Sequence, residues 1–343
     1  MRLKWLSSIL ALTFFATSAL AAPQVRYRLK LIDSPLVGGL TMTAMNNRGE
    51  VVGTRSAPDG QFAYLWRDGT FVDLRSRINP AANIIEGTGI NNRSQVVGFY
   101  IEPETNVFRG FLLDRRQVRD VQGPPTAEAV FLGPVNDREQ VFGSYYDAEF
   151  NEGFFLNDKG SVLVFDPSFS PRELNDSGTV VGTQFSGASR TAAIWEAGVI
   201  TPIVPAPSSA SNINDRGQVI GSLVGTGGTR AFVWERGQLT VLPALVENQT
   251  NSFATDINNA GRIVGQTVLP LPGDAQQVAT VWDNGEVVDL NTLIHPDDPL
   301  RPFVRLMTGR FINDRGELVV VGRDSRVAHL QTYFLEPVRR RPR

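Results

Sequence analysis

Ile213-Asn214-Asp215-Arg216-Gly217-Gln218-Val219-Ile220-Gly221 reads as a tight β-hairpin. An apolar residue ends one strand, Asn-Asp with a nearby Gly supplies turn conformations, and Val-Ile-Gly opens the next strand. The phrase occurs seven times. Its other copies are Met45-Asn46-Asn47-Arg48-Gly49-Glu50-Val51-Val52-Gly53, INNRSQVVG ending at Gly98, VNDREQVFG ending at Gly143, LNDSGTVVG ending at Gly182, INNAGRIVG ending at Gly265 and INDRGELVVVG ending at Gly322. The first asparagines stand at 46, 91, 136, 175, 214, 258 and 313, giving spacings of 45, 45, 39, 39, 44 and 55. A repeat of this length decides the architecture before any local propensity does.

A second hairpin follows each phrase. Its first strand ends in an aromatic residue or Leu, as in Tyr64-Leu65-Trp66, Ala193-Ile194-Trp195, Phe232-Val233-Trp234 and Thr280-Val281-Trp282. Its turn is Asp68-Gly69, Ala197-Gly198, Arg236-Gly237 or Asn284-Gly285, with Lys159-Gly160 shifted by one. Four short strands per 39 to 55 residues is the unit of a β-propeller blade. The fold class expected is therefore all-β, a seven-bladed propeller with four-stranded blades. A β-solenoid is the alternative, but its coils are shorter and more uniform. The last unit stops after a third strand at Tyr333-Phe334-Leu335-Glu336-Pro337-Val338, while Tyr27-Arg28-Leu29-Lys30-Leu31-Ile32 precedes the first phrase without a partner. Pairing the two would close the ring and remove two open edges. Trp66, Trp195, Trp234 and Trp282 share one repeat position, which predicts packing between blades.

Residues 1–21 carry Arg2 and Lys4, an apolar run from Trp5 to Phe15, and small residues up to Ala21. That is the pattern of a cleaved export signal, interrupted too often by Ser and Thr for a membrane span. No later stretch is long and apolar enough to cross a bilayer. The expected organisation is a signal peptide over 1–21, one repeat domain over 22–338 and a basic tail over 339–343, in a periplasmic or secreted monomer.

Composition excludes several chemistries. There is no Cys, and only His295 and His329 represent histidine. Disulfides, thiolate metal sites, cysteine nucleophiles and three-histidine centres are ruled out. With 33 basic and 35 acidic residues, nothing in the overall charge favours nucleic acid. The Asn-Asp pairs invite a calcium reading, but calcium loops place oxygen ligands at alternate positions, and adjacent ones suit a turn. No metal or other cofactor is expected.

The phrase I-N-x-x-G-x-V-V-G followed by A-F-x-W-x-x-G, seen most closely at 213–221 and Ala231-Phe232-Val233-Trp234-Glu235-Arg236-Gly237, resembles the HAF-type extracellular repeat. Leu36-Val37-Gly38-Gly39 is similar to the Leu-Gly-Gly that precedes the phrase in that family. The resemblance implies an exported bacterial repeat protein and carries no established reaction. Relatives often end in a sorting or membrane segment. Arg339-Arg340-Arg341-Pro342-Arg343 has no such character, which favours a free protein.

In a four-stranded blade, the connections between blades and those between second and third strands share one face. Loops on a rigid frame are where binding residues concentrate. The longest connection, 291–310, carries His295, Asp297, Asp298, Arg301 and Arg305. Tyr145, Tyr146 and Asp147 of the third unit, Arg230 of the fifth and His329 of the seventh are expected on the same face. These ten are the candidate ligand-binding residues, with carbohydrate or an envelope protein as partner. Paired carboxylates acting on a polysaccharide as hydrolase or lyase are one alternative, and a purely structural envelope protein is another. No residue stands out as catalytic.

Overall fold

A computed structural model of the chain describes residues 25–32, 39–246, 251–271 and 274–338. The segments 1–21 and 339–343 lie outside the described residues, as does all but Gly39 of the Leu36–Gly39 run. Seven antiparallel four-stranded sheets follow one another along the chain. Blades 1 to 7 span 40–73, 85–120, 129–164, 169–202, 208–241, 251–289 and 304–337. First strands of consecutive blades touch one another all the way round, blade 7 meeting blade 1, so each sheet runs outward from a central channel.

The closing strand is the one the sequence indicates. Tyr27–Ile32 pairs antiparallel with the third strand of blade 7, from Tyr27 opposite Pro337 to Ile32 opposite Thr332. Its pattern explains the fit: Tyr27 and Leu29 alternate inward toward blade 6 while Arg28 and Lys30 face solvent, and Ile32 at the far end is buried in the cluster shared with blade 1. Blade 6 and the long connection after it grip the strand. Arg262 Nη1 donates to Tyr27 Oη at 2.8 Å, the Leu29 amide donates to Asp298 Oδ2 at 2.8 Å, and the His295 amide donates to the Tyr27 carbonyl at 2.8 Å.

Local sequence accounts for both hairpins. Asp68-Gly69, Lys159-Gly160, Ala197-Gly198, Arg236-Gly237 and Asn284-Gly285 all have positive φ at both residues, as a two-residue type I′ turn requires. In the phrase, the glycine after the apolar pair sits where the second strand crosses closest to the first. A Cβ on Gly98 would lie 1.8 Å from the Glu86 carbonyl oxygen. Gly98→Ala is expected to destabilise by about 3 kcal/mol or more, since the obstruction is backbone. Gly227→Ala, which meets nothing within 4 Å, is the control. Calorimetric melting should separate the two by at least about 5 °C.

Apolar clusters fill the gaps between blades. One joins Val97, Leu112 and Val121 of the blade 2 region to Leu132, Val141 and Phe155 of blade 3. Trp66, Trp195 and Trp282 are buried in these gaps, Trp66 stacking 4.9 Å from Phe334 across the closure, and Trp234 is partly buried. The connections add two elements that the repeat pattern did not indicate, a one-turn helix at Arg75–Ile78 and a 3-10 turn at Leu290–Leu293. Each is anchored by buried apolar residues, Ile78 in the first and Leu290 and Leu293 in the second.

Candidate functional site

The two ends of the channel differ in chemistry. At one end lie the seven phrases. The first Asn of each is buried, and its Oδ1 accepts the amides two and four residues on, as Asn136 does from Arg138 at 3.0 Å and Gln140 at 2.9 Å. Its Nδ2 donates to the backbone carbonyl of the equivalent Asn in the next blade, at 2.9 to 3.3 Å. The series runs 46 to 91, 136, 175, 214, 258 and 313, and back to 46. The second residue of each pair makes a parallel circuit. Its amide donates to the side-chain oxygen of its counterpart in the next blade, at 2.7 to 2.8 Å, from Asn47 through Asn92, Asp137, Asp176, Asp215, Asn259 and Asp314 back to Asn47. The turn role expected of the Asn-Asp pairs thus extends into two closed rings of inter-blade hydrogen bonds.

Inside the rings is a cavity of about 220 Å³. Among the described residues six carboxylates line it, from Asp137, Glu173, Asp176, Asp215, Asp256 and Asp314, and no Lys, Arg or His does. Glu173 and Asp256 stand just after the β-bulge that interrupts each inner strand, where other blades carry residues such as Ala44, Gly89 and Asn212. Burial pushes the Glu173 carboxyl up to about 8, although the Leu174 amide donates to it. Asp256 is pushed up to about 7 by burial, although Asn212 Nδ2 and the Ile257 and Ile312 amides all donate to it. Burial also raises Asp176, with the Asp215 and Asp137 carboxylates adding to the effect. Cost of desolvation outweighs hydrogen bonding at all three. The sequence reading had placed no site at this end.

The opposite end carries the loops. Phe99, Phe108, Phe131 and Tyr146 form a half-exposed aromatic cluster, with ring centroids 5.0 Å apart for Phe99–Phe131, 4.7 Å for Phe108–Phe131 and 5.9 Å for Phe131–Tyr146. Beside it, between blades 2 and 3, opens a cleft of about 320 Å³ lined by Phe108, Arg109, Asp120, Glu128 and Val130. Arg109 is held at 3.2 Å from Glu102, and Asp120 accepts from Tyr100 Oη at 3.3 Å.

The ten residues picked from sequence fall into three separate groups on this face. Tyr145, Tyr146 and Asp147 lie together in blade 3, with Tyr145 half-buried against Phe155. Asp147 caps its turn by accepting the Glu149 and Asn151 amides and Asn151 Nδ2, which hold its carboxyl below the usual range. Arg230 lies two blades on and donates through Nη2 to the Leu242 carbonyl, its Nε buried without a partner among the described residues. His295, Asp297, Asp298, Arg301, Arg305 and His329 belong to blade 7 and its approach. There Asp298 is buried and spent on the closing strand, Asp297 and Arg301 are exposed, and His329 sits exposed in the hairpin beyond Asp324. Blades 3 and 7 are three blades apart by the shorter way round the ring, so these groups do not converge. Phe99, Phe108 and Phe131 were missed because the repeat gives those positions no distinctive residue; a signal at one of them is Phe99 itself, which follows the phrase glycine where other units carry Thr54, Ser144, Thr183 or Ser222.

No family model matches the chain, and no curated protein matches it. Solved structures do match. The chain is similar to the β-propeller domain of the Trilobed protease from Pyrococcus furiosus, with 10% identity, a TM-score of 0.55, and 86% of this chain and 93% of that one covered. Pyrococcus horikoshii acylaminoacyl peptidase gives 10% identity and 0.57 over 88% of this chain and 52% of that one. YCF48 from Cyanidioschyzon merolae gives 9% and 0.50 over 90% and 99%. The chain is a β-propeller. It spans about half the length of the acylaminoacyl peptidase. The Trilobed protease domain is described as having an open velcro topology, whereas here the N-terminal strand closes the ring. Among the described residues no helix is long and apolar enough to cross a membrane.

Proposed function

We propose that this propeller is an exported, rigid, non-covalent binding scaffold that holds a carbohydrate or other envelope polymer on its loop-rich face. The observation that carries the reading is the half-exposed aromatic cluster beside the cleft between blades 2 and 3. Aromatic faces offer apolar area, and Arg109, Asp120 and Glu128 offer the few placed polar groups that orient a ligand. The resemblance to exported repeats supplies the location. Titration calorimetry with envelope polysaccharides tests it: Phe131→Ala is expected to weaken binding at least tenfold, with the melting temperature of the unliganded protein falling only modestly. Equal affinity in wild type and variant would defeat the reading.

A second reading has its own observation. Glu173 and Asp256, pushed to about 8 and about 7 in one cavity, have the displaced titration that acid–base catalysis uses. On that reading the protein is a hydrolase or lyase acting at the phrase end of the channel. Release of new reducing ends from a polysaccharide, abolished by Glu173→Gln, would favour it over the scaffold.

A further inference from the structure

Among the described residues Phe150 is the most exposed large apolar side chain. It is 85% exposed, at the tip of the turn joining the second and third strands of blade 3. Its φ is 63°, in the left-handed region where Gly and Asn are at ease and a bulky side chain is strained. Its amide donates to the Asp147 carbonyl at 3.0 Å, a contact that any residue but proline would make. Folding therefore gains nothing from an aromatic ring here and would be served better by Asn or Gly. Other turns here also hold a non-glycine residue at positive φ, but among the described residues only Phe150 combines that with an exposed large apolar side chain, and the combination points to a use outside the fold. On the next blade, Phe185 is 48% exposed near the tip of the corresponding hairpin.

We propose that Phe150 is the anchor of a protein-docking surface on the loop-rich face of blades 3 and 4, with Phe185 as its flank. The occupant is a protein that presents an apolar socket with a basic rim. Shape sets the first half of that description, because a ring projecting from a turn needs a concavity to bury it, and aromatic anchors in pockets dominate interface energetics. Charge sets the second half. Asp147, Glu149 and Glu152 surround the tip, and Asp147 stays ionised through its turn hydrogen bonds. The exposed Arg190, opposite Phe185, is the cation of the patch. Three carboxylates beside the ring oppose insertion into an anionic bilayer and attract Lys and Arg on a protein partner. None of these residues lines the polymer cleft between blades 2 and 3, although Tyr146, next to Asp147, packs on Phe131 at its margin.

The test uses Phe150→Asn, a change that relieves the strained backbone. The full mature chain should melt at an equal or higher temperature after it. The probe is a phage-displayed library of small folded domains with randomised surfaces, selected against the wild-type protein. Most independent binders are expected to lose at least tenfold in affinity for Phe150→Asn, to keep their affinity for Phe131→Ala, and to carry Lys or Arg around an apolar depression. Binders that hold Phe150→Asn as tightly as wild type would overturn the proposal. Two further arms close the alternatives. Flotation with phosphatidylglycerol vesicles that is lost in Phe150→Asn would overturn it in favour of a membrane, and concentration-dependent dimerisation in sedimentation that is lost in the variant would overturn it in favour of a second copy of this chain. A melting temperature that falls in Phe150→Asn would show the ring to be structural and would equally overturn it.

Discussion

Removing residues 26–32 from the chain is expected to abolish its cooperative thermal transition or lower the melting temperature by more than about 10 °C. Tyr27, Leu29 and Ile32 are buried in the closing strand. Burial of each such side chain contributes roughly 1.5–3 kcal/mol, so the strand accounts for about 5–9 kcal/mol. That is comparable with the whole stability of a typical domain, about 5–15 kcal/mol. Further losses follow from the partners left behind. Asp298 would keep a buried carboxylate without the Leu29 amide, Arg262 would lose Tyr27 Oη, and the strand Leu330–Pro337 would become an open edge that invites association. Scanning calorimetry and light scattering on the shortened protein would decide it. An unchanged melting temperature would mean that the six paired residues do not hold the ring shut.

Raising the pH from 6 to 9 is expected to destabilise the protein, unlike the acid-side loss that dominates most folded proteins. Glu173 holds its proton in the folded state up to about 8 and Asp256 up to about 7, whereas both release it in the unfolded chain near the ordinary carboxylate values. Between those limits the folded state binds more protons than the unfolded state. Stability therefore falls as pH rises, by roughly 1 kcal/mol per group per pH unit, until each folded group has ionised. The contribution is fully present below about pH 4 and exhausted above about pH 8. Glu50, Asp147 and Asp324 work in the opposite direction: hydrogen bonds from Ser94, Asn151 and Arg326, respectively, hold them low against desolvation. Their contribution is lost only as pH drops through the acid range. The melting temperature should thus peak in mildly acidic solution and fall by several degrees toward pH 9. In Glu173→Gln/Asp256→Asn the alkaline limb should flatten, and a variant curve parallel to wild type would show that these two groups do not cause it.

Repetition made the fold legible. Seven phrases fixed the blade count, paired Gly-containing turns fixed four strands per blade, and a last unit one strand short with an unpartnered strand at the N-terminus pointed to their pairing. The same repetition hid the site. Glu173 and Asp256 occupy a column that is apolar, small or amide-bearing in the other blades, so their meaning comes only from the channel that brings alternate blades together. Phe150 lies in a turn outside the repeated phrases, and neither its exposure nor its positive φ can be read from a neighbouring residue. Asp298 looked like a loop acid, but burial and the Leu29 amide make it part of the closure. The ten loop residues shared a face, as the blade geometry requires, yet a face is wide and sequence carries no azimuth.

The two asparagine circuits mean that each blade recognises its successor by the same two contacts, whatever the loops between them. Spacings of 39 and 55 residues are joined by the same bonds. At this rim every blade meets its successor in the same head-to-tail joint, repeated until the ring closes on itself. A duplicated unit would meet both neighbours through this joint unchanged, while its apolar packing would have to be refitted. What limits the count is the curvature of the ring and not the chemistry of its joints.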